Sequence, residues 1–143
     1  MPIAPKGLNA RVENVFRRSF KILSCLRAGA KLKVIDTWYM KQLADFIAGM
    51  KAIDDGDGKT MLDNSLVLMG TEVANGANHS HDDIPFILAG RAGGALTSGK
   101  FHELPAQRSH NDLLITVGQA MGVPMTTFGE ASRCTGPLNM LRA

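Results

Sequence analysis

Leu62–Gly94, LDNSLVLMGTEVANGANHSHDDIPFILAGRAGG, is the stretch whose reading decides the fold. Two apolar runs, Leu66-Val67-Leu68-Met69 and Ile84-Pro85-Phe86-Ile87-Leu88-Ala89, bracket a polar loop holding Glu72, His79, His81, Asp82 and Asp83. Each run is short and has few polar interruptions, as a strand buried on both faces would. Pro85 sits near the start of the second run, where a missing N–H is tolerated.

Helical patterns flank this unit. Ile35, Trp38, Tyr39, Leu43, Phe46, Ile47 and Met50 recur at three- and four-residue steps, which predicts a helix over 34–51 with one apolar stripe. Trp38 and Tyr39 read there as packing anchors. Ser109-His110-Asn111-Asp112 fits the S-x-x-D capping pattern, Leu113, Leu114, Val117 and Met121 form a stripe, and Gly122 with Pro124 stops the helix. Helix, buried strand, loop, buried strand, helix is an α/β order, with a parallel or mixed sheet covered by helices. Thr97–Leu104 reads as a short hairpin, and 125–143 as an irregular tail.

Charge divides the chain. Residues 1–33 carry eight Lys or Arg and one acid, net +7; the other 110 carry eight basic and twelve acidic residues, net −4. The expected organisation is a basic N-terminal segment, 1–33, truncated or foreign to its context, and a partial α/β domain, 34–143. Within 11–27, Val12, Val15, Phe16, Phe20, Leu23 and Leu26 fall near a helical period with a basic opposite face. A basic arm can bind nucleic acid or anionic lipid. A solvated tail or a helix packed on its own domain is the plainer reading, and nucleic acid is not the expected partner. Lys21 and Arg27 interrupt the apolar stretch after Arg17-Arg18, which argues against a cleavable signal. No run is long enough to span a bilayer. Cys25 and Cys134 lack a metal or redox spacing and read as free thiols.

In open α/β sheets, ligands sit beyond the carboxyl ends of the strands, and the loop from Glu72 to His81 leaves such an end. His79 and His81 stand two apart, so an extended segment would put both on one face. With Glu72 they form a candidate ligand set for a divalent metal: zinc, manganese or iron. An H-x-H pair is common, and a solvated polar loop reads the same way. Asp54–Gly58 resembles the middle of a calcium loop, but its register puts Ile53 and Asn64 at the first and last ligand positions, so a plain turn is expected. Gly90–Gly94 lacks the Lys-Ser/Thr of a phosphate loop and reads as a turn. His110 lies in the first turn of the expected helix and reads as a surface histidine. Ser80 has no elbow around it to make it a nucleophile.

Over 32–138 the chain resembles the C-terminal part of domain-of-unknown-function family 1552, a bacterial family of exported proteins. The resemblance is carried by Ile53–Gly58, Leu62–Leu68, Gly70-Thr71-Glu72, His79-Ser80-His81, Ile84-Pro85, Leu88-Ala89-Gly90, Met121–Pro124 and Phe128-Gly129. It implies an exported parent protein. A more distant resemblance is to the alkaline-phosphatase-like metalloenzymes, whose apolar strand ends Asp-His-Gly and is followed by His-Thr and a Val-Pro strand start. Here Glu72-Val73-Ala74, His79-Ser80 and Ile84-Pro85 occupy those places. The resemblance implies that Glu72 and His79 bind metal, and that the fold is the C-terminal portion of such a domain. Val73 stands where that superfamily has a metal-binding histidine, and His81 is the candidate substitute. The nucleophile-bearing half of that domain has no counterpart in residues 1–33. The implied function is therefore that of a portion of a phosphate or sulfate ester hydrolase, inactive alone and partnered by the missing half or a second copy. A non-catalytic α/β binding or assembly domain is the alternative.

Overall fold

The computed structural model describes residues 30–104 and 108–143. The basic amphipathic stretch 11–27 and Cys25 lie outside them. The fold is mixed α/β: helix α1 (Ala30–Ala52), a one-turn helix α2 (Met61–Asn64), strands β1 (Leu66–Gly70) and β2 (Phe86–Gly90), and helix α3 (His110–Ala120). A short 3₁₀ turn at Ala92–Gly94 lies between β2 and α3, and two more, Ala131–Arg133 and Asn139–Leu141, follow α3. Among the described residues no helix is long and apolar enough to cross a membrane.

α1 starts four residues before the expected helix and runs 23 residues, about 34 Å. Lys51 in its last turn complements the carbonyl end of the helix dipole. Its packed side is narrower than the sequence stripe. Met40 and Ala44 are buried and Leu43, Ile47 and Met50 half-buried, whereas Ile35, Trp38, Tyr39 and Phe46 are exposed. Trp38 and Tyr39 are thus not core anchors; they meet each other edge to face at 5.1 Å.

The turn after α1 is held by its own aspartates. Asp54 Oδ1 accepts from the Gly56 amide at 2.9 Å and Asp57 Oδ1 from the Lys59 amide at 3.1 Å. Asp55 accepts from the Asn64 side chain at 2.8 Å. These carboxylates serve the turn, and Gly56 and Gly58 supply its left-handed φ of 90° and 75°. Thr60 then opens α2 with a full capping box: its hydroxyl accepts from the Asp63 amide, and Asp63 accepts from the Thr60 amide. Hydrogen bonds from the Thr60 backbone and hydroxyl hold the Asp63 carboxyl below its ordinary pKa.

β1 and β2 pair antiparallel, with Leu66 opposite Gly90, Leu68 opposite Leu88 and Gly70 opposite Phe86. The element order points to a parallel or mixed sheet; the sheet observed among the described residues is this one antiparallel pair. Parallel pairing needs a crossover, usually helical, whereas residues 71–85 form a loop without a helix that turns back on itself. β2 begins at Phe86, leaving Pro85 just outside the ladder. Gly90 has φ 101°, and a Cβ there would lie 2.3 Å from the Ser65 carbonyl oxygen, so this strand end admits only glycine.

Ser109 caps α3 by accepting from the Asn111 amide at 3.2 Å. Asp112 does not reach back to complete a capping box; it is fully buried and faces the tail. Leu113 and Ile115 are buried beside it, while Met121, expected in the stripe, is exposed. Gly122, at φ 84°, ends the helix as the sequence indicates. The tail is irregular but anchored. Leu96 bridges to Arg142, and the Thr97 amide donates to the Leu141 carbonyl at 2.8 Å. Leu96 therefore pairs with the chain end, and 97–104 forms no hairpin.

Candidate functional site

β1 delivers the chain at Gly70 to the polar loop, residues 71–85. There the Phe86 ring lies where a Gly70 side chain would be, 2.6 Å from its would-be Cβ, so the strand end stays narrow. Thr71 closes a local turn through its hydroxyl, which donates to the Val73 carbonyl at 3.0 Å. Ala74 is buried and its amide donates to the Ser80 carbonyl at 2.8 Å, pinching the loop into a lobe over 75–80. Inside the lobe Asn75 and Asn78 accept from amides two residues on, at 3.0 and 3.1 Å. Such Asx turns explain the Asn-Gly and Asn-His sequence there.

Glu72, His79 and His81 are all exposed. His79 adopts φ 55° within the lobe's turn, so the alternation of an extended strand does not relate it to His81. His81 and Glu72 are brought together, but through the backbone: His81 Nδ1 lies 2.7 Å from the Glu72 carbonyl oxygen. A carbonyl only accepts, so Nδ1 carries the proton, and in the neutral ring Nε2 holds the lone pair. That orientation suits a metal ligand, whose other ring nitrogen commonly donates to a carbonyl. The set as a whole does not assemble: among the described residues no three His, Cys, Asp or Glu side chains stand together as an ion would require. His81 has the orientation of a ligand, and in this geometry the Glu72 and His79 side chains do not stand with it as a group of three.

The neighbouring candidates resolve into structural roles. Ser80 Oγ exchanges hydrogen bonds with Asp82, at 3.2 Å to its carboxylate and 3.1 Å from its amide. The Ala92 amide donates to the Ser65 carbonyl and the Gly94 and Leu96 amides to the Arg91 carbonyl, so Gly90–Gly94 is a turn closed by its own backbone. His110 lies against the Phe86 ring, with centroids 6.5 Å apart. Cys134 is a half-buried free thiol.

The most elaborated polar cluster is one the sequence reading passed over. Asp112, 0% exposed, accepts from Arg108 Nε and Nη2 at 2.9 and 2.7 Å, from the Thr135 amide and hydroxyl, and from the Gly136 amide at 3.1 Å. Burial pushes its carboxyl up, but the bonds from Thr135 and Arg108 outweigh it and hold the pKa below the ordinary value. Thr116 extends the lock, accepting from the Leu138 amide at 2.7 Å and donating to the Asp112 carbonyl at 2.7 Å. The one local signal was Arg108 four residues before an aspartate inside an apolar helical stripe. Scanned against family models, curated proteins and solved structures, the chain matches none of them.

Proposed function

We propose that this chain is an assembly module: the C-terminal portion of a larger α/β fold of the alkaline-phosphatase-like lineage, without turnover by itself. The observation that carries this reading is the sheet. It has two strands, and among the described residues neither outer edge pairs with another. A two-stranded sheet is marginal alone, and unpaired edges are templates for further strands. The strands that extend it come from the nucleophile-bearing half of such a domain or from a second copy. Family 1552 is the lineage the quoted residues favour.

The test is amide exchange together with mass by light scattering, on the chain alone and mixed with the N-terminal half of a family 1552 protein. Outward amides of Leu66–Gly70 and Phe86–Gly90 should become protected in a complex heavier than the monomer. A monomer in both samples, with those amides still open, would rule the reading out.

A metal-dependent ester hydrolase lineage is the second reading, favoured by the His81 ring held on the Glu72 carbonyl. In the assembled protein, Glu72, His79 and His81 would be the ligands of zinc, manganese or iron. Elemental analysis of the assembly should then show bound metal that Glu72→Ala and His79→Ala each reduce. Equal metal in both variants would exclude that ligand set.

A further inference from the structure

The lobe over 75–80 opens on Asn75-Gly76, a pair whose chemistry goes beyond its turn. Asn75 is half-buried and Gly76 exposed. Asn75 Oδ1 accepts from the Ala77 amide at 3.0 Å, which folds the side-chain amide back over the peptide joining Asn75 to Gly76. Among the described residues nothing accepts the hydrogen of the Gly76 amide. A Cβ built on Gly76 meets nothing within 4 Å, so no neighbour crowds that nitrogen. A carbonyl carbon and a free amide nitrogen thus stand one residue apart in an open turn.

We infer that Asn75 is a site of self-modification, converting through a succinimide to aspartate and isoaspartate in the folded chain. The Gly76 nitrogen gives its proton to hydroxide and attacks Asn75 Cγ. The Cγ–N bond forms, the Cγ–Nδ2 bond breaks, and ammonia leaves with a proton taken from water. Water then opens the ring. Addition at Cγ leaves aspartate in the normal chain; addition at the main-chain carbonyl leaves isoaspartate. Negative charge develops on Oδ1 during the attack, where the Ala77 amide already donates. The other asparagines of the described residues lack this combination. Asn78 makes the same kind of turn, to the Ser80 amide at 3.1 Å, but its successor His79 carries a Cβ and holds φ 55°. The Asn64 side chain is bound to Asp55 at 2.8 Å, and after Asn111 the Asp112 amide is tied to the Ser109 carbonyl at 3.1 Å. Isoaspartate adds a methylene to the main chain inside the lobe that the Ala74 amide closes on the Ser80 carbonyl. The product is a slackened pinch and a new carboxylate in the loop of Glu72, His79 and His81. The inference stands independently of what extends the sheet edges.

The test is to hold the full folded chain in mildly alkaline buffer, digest it at intervals and follow the amide-to-acid mass gain, with fragment ions placing it at Asn75 or Asn78. Asn75 should convert several-fold faster than Asn78 and give isoaspartate as well as aspartate. Gly76→Ala fits the open space at that position. With unchanged circular dichroism it should slow conversion at Asn75 several-fold and leave Asn78 as it was. Equal rates at Asn75 and Asn78 in the native chain overturn the inference. An Asn75 that stays intact in the folded chain and converts only in urea overturns it as well, and needs no variant. An undiminished rate in Gly76→Ala overturns the assignment of the Gly76 nitrogen as the attacking group.

Discussion

Replacing Asp112 by asparagine should destabilise the protein more than any other change of similar size. The carboxylate receives five hydrogen bonds, two at Oδ1 and three at Oδ2, all from donors. An asparagine must turn its NH₂ toward one of these sets, so in either orientation at least two donors meet a donor. Each buried donor left unsatisfied costs about 1–3 kcal/mol, giving a loss of about 2–6 kcal/mol. Against a typical total of about 5–15 kcal/mol this is a large share. Urea unfolding should show a midpoint lower by about 1 M or more at unchanged slope. The pH dependence gives an independent check. The folded pKa lies below the ordinary 3.8, so the stabilisation is full above that value and is lost as pH falls through the folded pKa. Wild-type stability should therefore drop in acid below about pH 4, and the variant's should drop less. A midpoint within about 0.2 M of wild type, with the same acid dependence, would refute the assignment of Asp112 as the lock between α3 and the tail.

Gly90→Ala should destabilise strongly, because its Cβ meets the Ser65 and Leu62 carbonyl oxygens at 2.3 and 2.8 Å and its φ is positive. Gly118→Ala should cost less, since the atom at 2.6 Å is the sulfur of the flexible Met125; equal losses in thermal unfolding would contradict this. Thr60→Ala removes the capping box of α2 and should lower stability by about 1 kcal/mol, measured by urea midpoint, with Thr60→Ser restoring most of it. His81→Ala removes the bond to the Glu72 carbonyl and should cost about 0.5–1.5 kcal/mol. It should also speed amide exchange within 72–81 without touching α3, and exchange unchanged there would show that the loop is held by other bonds.

What the sequence alone determined were features set by near neighbours along the chain. The two apolar runs became β1 and β2 within two residues because a short uninterrupted run has few alternatives to a strand. Ser109 and Gly122 bracket α3 because capping hydroxyls and left-handed glycines act within one turn. The polar loop was located because it separates the runs. Tertiary structure decided the direction of the strand pair, since antiparallel closure depends on how residues 71–85 turn back, and no single residue there states it. It decided that strand alternation does not relate His79 to His81, because His79 takes a left-handed conformation inside a lobe pinned by Ala74 and Ser80. It decided the fate of Trp38 and Tyr39, whose helical spacing records an apolar side without saying what covers it. Above all it decided Asp112. In sequence that residue is a capping aspartate; in the fold its partners, Thr135 and Gly136, lie more than twenty residues away. Bonds of that kind exist only after the tail has packed, because long-range contacts are chosen by the whole chain's closure rather than by local preference.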